Sequence, residues 1–265
     1  LATDDFYELR LNLISFLKKS KHYFFGNANN TGFDPAGDIR GISGNTFTSG
    51  SHPADGHETP ELMSIFAGRP NLKPCYINFN NAEMASLSSI FNLSEKTKLQ
   101  TMGFFTGDEN DFFRDQVFDF FGPGDPFTNT ENYKLRSKTK RGVFKADLTS
   151  NLSKKARLEY SGNVSLGNQN TSTALLFNNS PINENLTSNP LSVDQYAGYT
   201  LKLKENKALI AEAHYKYDEK PLSYVADTFL LGDLFGGQQF SKTLQEALAI
   251  NQTFAAELRW ISDYD

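Results

Sequence analysis

The segment Arg157–Leu166, which reads RLEYSGNVSL, decides the fold of this chain. Its even-numbered positions are apolar or small, and its odd-numbered positions are polar or charged. Successive side chains of a β-strand point to opposite faces, so a period of two over ten residues predicts a strand. Such a strand has one apolar face and one polar face, and each face must contact a different environment.

The same alternation occurs in other parts of the chain. Phe144–Leu152 has it, and the short polar turn Ser153–Ala156 joins that segment to the first one as a hairpin. Further strands are predicted near residues 7–13, 22–30, 82–93, 99–108, 195–203, 208–218 and 248–260, and in the 99–108 strand Met102, Phe104 and Phe105 interrupt the alternation. The sequence therefore predicts an all-β chain of about nine antiparallel strands.

The connections between these strands alternate in length. Short turns containing Lys, Asn or Ser lie at residues 18–21, 94–98, 153–156 and 204–207. Long connections rich in Gly, Asn, Pro and Asp lie at residues 31–77, 109–140, 168–193 and 219–243. Loops of this length are uncommon in soluble domains, whereas outer-membrane β-barrels combine short periplasmic turns with long extracellular loops. We therefore predict a partial transmembrane β-barrel over residues 1–265, with no separate soluble domain.

The alternation also predicts which side chains contact lipid. A charge facing the middle of the bilayer costs about 2–4 kcal/mol, so the apolar side must face outward. The predicted lipid-facing residues are Leu9, Leu11, Leu148, Leu158, Tyr160, Val164, Leu201, Leu258 and Trp260. The predicted lumen-facing residues are Glu8, Arg10, Lys145, Asp147, Arg157, Glu159, Glu212, Lys216, Glu257 and Arg259. Candidates for aromatic girdles at the two interfaces are Tyr7, Tyr160, Tyr199, Tyr215 and Trp260.

Composition excludes several other classes of protein. The chain has 26 Lys and Arg against 31 Asp and Glu, without a basic block, so nucleic acid is not an expected partner. One cysteine excludes an internal disulfide framework. No nucleophile elbow, phosphate-binding loop or dinucleotide fingerprint is present, so we expect neither an enzyme nor a cofactor.

Three segments of the predicted long loops have an unusual composition. His52–Glu58 gathers two His, an Asp and a Glu, but it lacks the spacing of a zinc motif, and no metal site is expected. The acidic run Gly107–Asp111, with Asp115 and Asp119, does not match a calcium loop and is interpreted as an exposed polar loop. The Phe-rich stretch Phe118–Phe127 is a candidate for packing in an extracellular vestibule or for contacting a partner.

Short motifs in the chain resemble those of TonB-dependent outer-membrane receptors of Bacteroidota. The segment Ala2–Leu9, ATDDFYEL, followed by a Lys-rich turn and Phe25–Asn30, FGNANN, is similar to the first barrel hairpin of that family. Phe79–Ala82 and Leu148–Leu152 also fit it. The resemblance implies a barrel of about 22 strands in the outer membrane of a Gram-negative bacterium. This chain would then be the N-terminal part of the barrel, with the plug and the TonB-binding segment absent.

The resemblance also implies partners and a function. The expected partners are outer-membrane lipid, the remaining strands and plug, the TonB system through absent segments, and a surface lipoprotein. The expected function is import of a nutrient such as a siderophore, a peptide or an oligosaccharide. The alternatives are a non-transport barrel subunit that anchors or completes a secretion or adhesion assembly, and a soluble β-rich binding module.

Overall fold

The structure, a computed structural model, describes residues 6–33, 62–65, 79–122, 126–204, 207–227, 236 and 240–262. Over these residues the chain is all-β and its strand pairings are antiparallel, which confirms that part of the prediction. The described ranges contain no helix long and apolar enough to cross a membrane.

Ten strands form one sheet. Their bounds are β1 (Glu8–Phe16), β2 (Ser20–Asn29), β3 (Phe79–Asn92), β4 (Thr97–Phe120), β5 (Phe127–Asn151), β6 (Ala156–Phe177), β7 (Ser180–Ser188), β8 (Leu191–Lys204), β9 (Lys207–Asp227) and β10 (Thr243–Ser262).

The strands follow one another across the sheet in chain order. β7 and β8 lie end to end, because both pair with β6 on one side and with β9 on the other. The break between them falls at Asn189 and Pro190, where proline has no N–H to donate to the ladder. The ten strands therefore occupy nine positions across the sheet, which agrees with the nine strands expected from the sequence.

The short connections lie together at one end of the sheet, which we call the turn end. β1 and β2, β3 and β4, and β5 and β6 are joined there by three or four residues each, where the sequence predicts turns. β8 ends at Lys204 and β9 begins at Lys207, also as predicted. The opposite end of the sheet, where β4 ends and β5 begins and where β6 turns into β7, is called the far end.

Two of the predicted long loops are wrong, and a third is wrong in part. Residues 109–140 are mostly strand, since β4 runs to Phe120 and β5 begins at Phe127. The acidic run Gly107–Asp111, interpreted as a loop, also lies within β4. Residues 168–193 belong mainly to β6 and β7, and β9 continues to Asp227. Most of the fourth predicted loop, 31–77, lies outside the described residues, as does the His52–Glu58 segment.

These strand extensions lack the alternation that identifies the rest. In the far half of β5, Lys134, Arg136, Lys138 and Lys140 share one face while the other face also carries polar side chains. With both faces polar, a strand has no period-two hydrophobic signal. The charges match across the strands instead, because Arg136 and Lys138 of β5 lie opposite Asp111 and Glu109 of β4.

A two-residue turn joins β6 to β7. Asn178 and Asn179 have φ angles of 48° and 65°, so both adopt the left-handed conformation. Turns of this kind match the twist of the flanking strands, and asparagine tolerates positive φ better than most residues. The Asn-Asn pair therefore closes a tight hairpin within the stretch that was predicted to be a long loop.

The register defines two faces of the sheet. We call the face that carries Leu158, Tyr160 and Val164 the apolar face, and the opposite face the polar face. The part of the apolar face that is level with Ala156–Leu166 of β6 is called the apolar band. Among the described residues of this band, the single Asp, Glu, Lys or Arg is Glu219 at its far edge.

The polar face at the same level has the opposite composition. Its charged side chains in the described strands are Lys21, Lys98, Lys145, Asp147, Arg157, Glu159, Asp194, Glu212, Lys216, Asp218, Glu257 and Arg259. Within the band, the separation of charge between the faces therefore holds at all nine strand positions of the described sheet and not only in the segment from which it was inferred.

Candidate functional site

The structure groups the site residues predicted from the sequence by face. Every predicted lipid-facing residue lies on the apolar face, and every predicted lumen-facing residue lies on the polar face. The assignment of these faces to lipid and to a lumen stays a prediction, since the register shows the grouping alone. The candidate functional site is the polar face, where the charged and hydrogen-bonding groups converge.

Burial on the two faces is the reverse of that in a water-soluble protein. The side chains of Lys216 and Asp218 on the polar face are only 15% and 12% exposed. On the apolar face Phe254 and Leu258 are each 70% exposed. Soluble monomers rarely expose apolar patches of this extent.

Ion pairs run along individual strands of the polar face. Residues two apart on a strand share a face, and this spacing pairs Lys145 Nζ with Asp147 at 3.6 Å and Lys216 Nζ with Asp218 at 3.6 Å. Glu8–Arg10, Arg157–Glu159 and Glu257–Arg259 pair in the same way. On the polar face of the described strands, these five pairs within strands outnumber the pairs between neighbouring strands, such as Arg114–Glu131 and Arg259–Glu212.

Glu212 joins three strands of this face. Its carboxylate accepts a hydrogen bond from the Tyr196 hydroxyl on β8 at 2.8 Å and is also paired with the Arg259 guanidinium on β10. Next to it, the buried His214 ring contacts the Asp194 carboxylate at 2.7 Å. Hydrogen bonds to a charged carboxylate are stronger than those between neutral groups. Glu212 and His214 therefore fix the relative positions of β8, β9 and β10.

A small apolar cluster lies farther along the polar face, beyond the level of the apolar band. Phe112, Tyr133 and Leu135 are buried against one another, with Ile65 from the β2–β3 connection packed on them. Arg114 lies over the Tyr133 ring at 5.6 Å, a distance suited to a cation–π contact. The cluster stiffens the part of the sheet that extends past the band.

The Glu184 carboxylate acts on two tyrosines, Tyr224 and Tyr133 of this cluster. The Tyr224 hydroxyl donates a hydrogen bond to Glu184 at 2.6 Å. Burial, that hydrogen bond and the charge of Glu184 together raise the pKa of Tyr224 well above its usual range. Burial and the Glu184 charge also raise the pKa of Tyr133, while nearby Arg114 lowers it. Both phenols thus stay neutral and able to donate hydrogen bonds at physiological pH.

A cavity of about 270 Å³ lies beside the cluster on the polar face. The residues that line it are mixed in character: Leu62, Met63, Gln169, Leu186, Ser188, Pro190, Lys220 and Leu222. Pockets that bind small molecules combine an apolar lining with a few polar groups that fix orientation. The β2–β3 connection therefore supplies one wall of this recess.

Sequence reasoning missed this far part of the polar face. Phe112, Tyr133 and Glu184 fall in stretches predicted to be loops, where no face was assigned. One signal in the sequence could have identified the β4–β5 hairpin. Acidic residues before residues 121–126 and basic residues after them lie at equal distances from that segment, such as Glu109 and Lys138.

No family model and no curated protein matches this chain. Within the described ranges, no group of three or more His, Cys, Asp and Glu side chains is placed to hold a metal ion. The functional argument therefore rests on the two faces, their charges and the recess.

Proposed function

We propose that this chain is part of an outer-membrane β-barrel that imports a nutrient. The observation that supports the proposal best is the reversed burial of the two faces, together with an apolar band whose one charged residue in the described strands, Glu219, lies at its far edge. That band is about eleven residues deep along each strand, or roughly 36 Å at 3.3 Å per residue. At the strand tilt of about 45° usual in such barrels, this corresponds to roughly 25 Å, the height of a bilayer-facing band.

Closure of the sheet follows from the same physics. Within the described sheet, β1 and β10 are the outermost strands. Unpaired N–H and C=O groups are not tolerated in hydrocarbon, so the proposal requires both outer strands to be paired in the membrane. The TonB-dependent mode of import rests on the motif resemblance, and a siderophore, a peptide or an oligosaccharide is the proposed substrate class.

The long strands indicate where a substrate would first be held. A membrane-crossing strand needs about 9–11 residues, whereas β5 has 25. The excess lies at the far end and extends the polar face beyond the band, where the 270 Å³ recess is found. A substrate bound there would contact polar and apolar side chains before reaching the charged face within the band.

Placement in a bilayer can be tested with the one tryptophan of the chain, Trp260, which is 58% exposed on the apolar face. The chain is refolded into phosphatidylcholine vesicles with brominated acyl chains, which should quench Trp260 fluorescence. A matched variant, Trp260→Phe with Ile261→Trp, moves the indole to the polar face and should not be quenched. Equal quenching of both, or a folded monomer in detergent-free buffer, would contradict the proposal.

Import can be tested with labelled substrates in cells that carry the chain. Leu222→Trp fills the recess, while Leu248→Trp adds the same ring to the apolar face. We expect the first change to reduce uptake of one substrate among a siderophore, a peptide and an oligosaccharide, and the second to leave it unchanged. Uptake that is independent of the chain would exclude import.

One observation favours the alternative of a non-transport subunit. At the tip of the β4–β5 hairpin, Phe120 and Phe127 stack at 4.6 Å, and the adjacent Phe121 is 85% exposed. This tip lies roughly 50 Å along β4 from the apolar band. Exposed aromatic groups at such a distance suit contact with a partner protein. Loss of partner binding in Phe121→Ser, with uptake unchanged, would support this second function.

A further inference from the structure

The apolar band contains one recessed region. A groove of about 430 Å³ runs over β2 to β6 and is lined almost entirely by apolar groups. The side chains of Phe24, Phe105 and Phe144 stand around it. Gly103 and Gly142 form its floor, where the absence of side chains leaves the backbone uncovered.

The groove is open because the aromatic rings do not cover the glycines. Gly103 lies opposite Phe144, and Gly142 lies opposite Phe105. In many sheets the aromatic ring of such a pair folds over the glycine. Here a Cβ atom added to Gly103 or Gly142 would meet nothing within 4 Å. At Gly162, by contrast, it would lie 2.6 Å from the Tyr160 hydroxyl, so that glycine is covered.

A cation lies directly above the groove at the far edge of the band. Lys140 is the next residue after Gly142 on the same face of β5 in the direction of the far end. Its cross-strand neighbours are Gly107 and Asn168. Lys138, two residues farther along, is paired with Glu109 at 3.0 Å. In the described part of the chain, Lys140 has no such ion pair.

The local charge around Lys140 is therefore positive. Glu83 of β3 is the acid at the same level of the sheet. It pairs with Gly107 of β4, which in turn pairs with Lys140, so one strand lies between Glu83 and Lys140. Neighbouring strands lie about 4.8 Å apart, which places the two backbones roughly 10 Å from each other. The nearer acid on this face, Glu109, lies diagonal to Lys140 on β4 and is already paired with Arg136 and Lys138, so an anionic group next to Lys140 would meet a cation beside a compensated carboxylate.

We propose that this groove is a binding site for one membrane lipid that carries a phosphate. An acyl chain lies between Phe105 and Phe144 over the two glycines, and the phosphate is bound by Lys140. The inference rests on the proposed membrane placement, since only then does the groove face acyl chains. The charge-free walls suit a hydrocarbon chain, and the one cation at the boundary suits the headgroup.

The site can be tested by native mass spectrometry of the delipidated protein in detergent micelles. Dioleoylphosphatidylglycerol is titrated as the probe, and dioleoylglycerol serves as the same lipid without phosphate. Lys140→Gln should weaken binding of the phosphate lipid about tenfold, the effect of losing one charge-assisted hydrogen bond. Lys134→Gln, on the same face of β5 but six residues farther from the band, is the matched control and should have no effect.

Filling the groove tests the acyl-chain part separately. The double variant Gly103→Leu with Gly142→Leu places side chains in open space, so the sheet should still fold. It should weaken binding of both probes about tenfold or more, while Ala256→Leu elsewhere in the band should not. Unchanged binding in the double variant, or equal loss in the Lys134 and Lys140 variants, would overturn the site.

These outcomes are distinguishable from failure of the proposed function. If Trp260 is quenched by brominated vesicles but the groove variants bind lipid like the unmodified chain, only the lipid site is wrong. If the chain folds in buffer without detergent and Trp260 is not quenched, the membrane placement is wrong and the lipid site is excluded with it.

Discussion

Adjacent alanines on β10 allow the two faces to be compared with the same substitution. Ala256 lies on the apolar face and Ala255 on the polar face, opposite Ala213 and His214 respectively. We expect Ala256→Arg to destabilise the membrane-inserted protein and Ala255→Arg to have little effect. The reason is that one guanidinium would enter hydrocarbon, whereas the other would join charged groups that already exist on its face.

The magnitude follows from the position of Ala256 within the apolar band. It lies four residues from Trp260, at the turn end of the band, and six from Ile250, at the far edge. At 3.3 Å per residue and a tilt of about 45°, these separations place it roughly 9 Å and 14 Å from the two boundaries. Arginine near the midplane costs about 2–4 kcal/mol, and its long side chain recovers part of this by reaching toward the nearer boundary. We therefore expect a loss of about 2–3 kcal/mol for Ala256→Arg and less than about 0.5 kcal/mol for Ala255→Arg.

The free energy of unfolding can be measured in phosphatidylcholine vesicles by guanidinium titration, with Trp260 fluorescence as the signal. Trp260 is on the same strand and the same face as Ala256, so it reports on the region that changes. Reversibility is checked by refolding from denaturant. If Ala255→Arg is the more costly change, or if both cost the same, then the assignment of the apolar face to lipid is refuted.

Three further outcomes are expected. Glu212→Gln should lower the free energy of unfolding by about 1–3 kcal/mol, because Tyr196 and Arg259 lose their charged acceptor. Glu257→Gln removes a carboxylate that is 45% exposed and should lower it by less than about 0.5 kcal/mol. Unfolding titrations of the two variants compare these effects. The pKa of Tyr224 is raised in the folded protein. The stabilisation by its neutral form is therefore complete below pH 10, near the pKa of tyrosine in the unfolded chain, and is lost as the pH rises through the higher pKa of the folded state. Tyr224→Phe should reduce this alkaline loss of stability between about pH 10 and pH 12 in the same titrations. Gly162→Leu should lower the free energy of unfolding by about 1–3 kcal/mol, because its Cβ would lie 2.6 Å from the Tyr160 hydroxyl, whereas Gly103→Leu should not lower it. Equal free energies of unfolding for the two variants would show that the sheet adjusts freely at both positions.

The sequence was sufficient to predict the strands that contain a hydrophobic alternation. Leu158, Tyr160 and Val164 fixed one face of β6, and the antiparallel pairing carried that assignment to β5 and β8. The short turns were equally predictable, since Lys- and Ser-containing breaks separate runs of period two. Alternation identifies a face only where the two environments differ, which is why these predictions agree with the structure inside the apolar band.

Beyond the band the two environments are alike, and the sequence signal changes in kind. Lys134, Arg136 and Lys138 belong to a strand, but both faces of that strand are polar, so a periodicity argument interprets it as a loop. The information is instead in cross-strand complementarity, such as Glu109 opposite Lys138. The Asn178–Asn179 pair was a further local signal for a tight turn. Both require the pairing partner to be considered at the same time as the segment.

The recess on the polar face could not be predicted for a different reason. Leu62 and Leu222 are far apart in the sequence and line it together. Leu62 lies in a connection without alternation, where nothing in the local pattern indicates the surface that it contacts. Contacts of this kind depend on how a connection folds back over the sheet, and one sequence without a pairing rule does not determine that.

Because each strand pairs with strands close to it in the chain and the short turns share one side, the sheet can gain or lose width only by whole hairpins. Inserting or deleting a single strand would reverse the direction of every later strand, so that its short turns would lie at the far end. Adding a whole hairpin leaves the strand pairing on either side unchanged. Chains of this architecture should therefore diversify in sheet width by duplicating units of two strands, with the spacing between recurrent turn sequences recording each event.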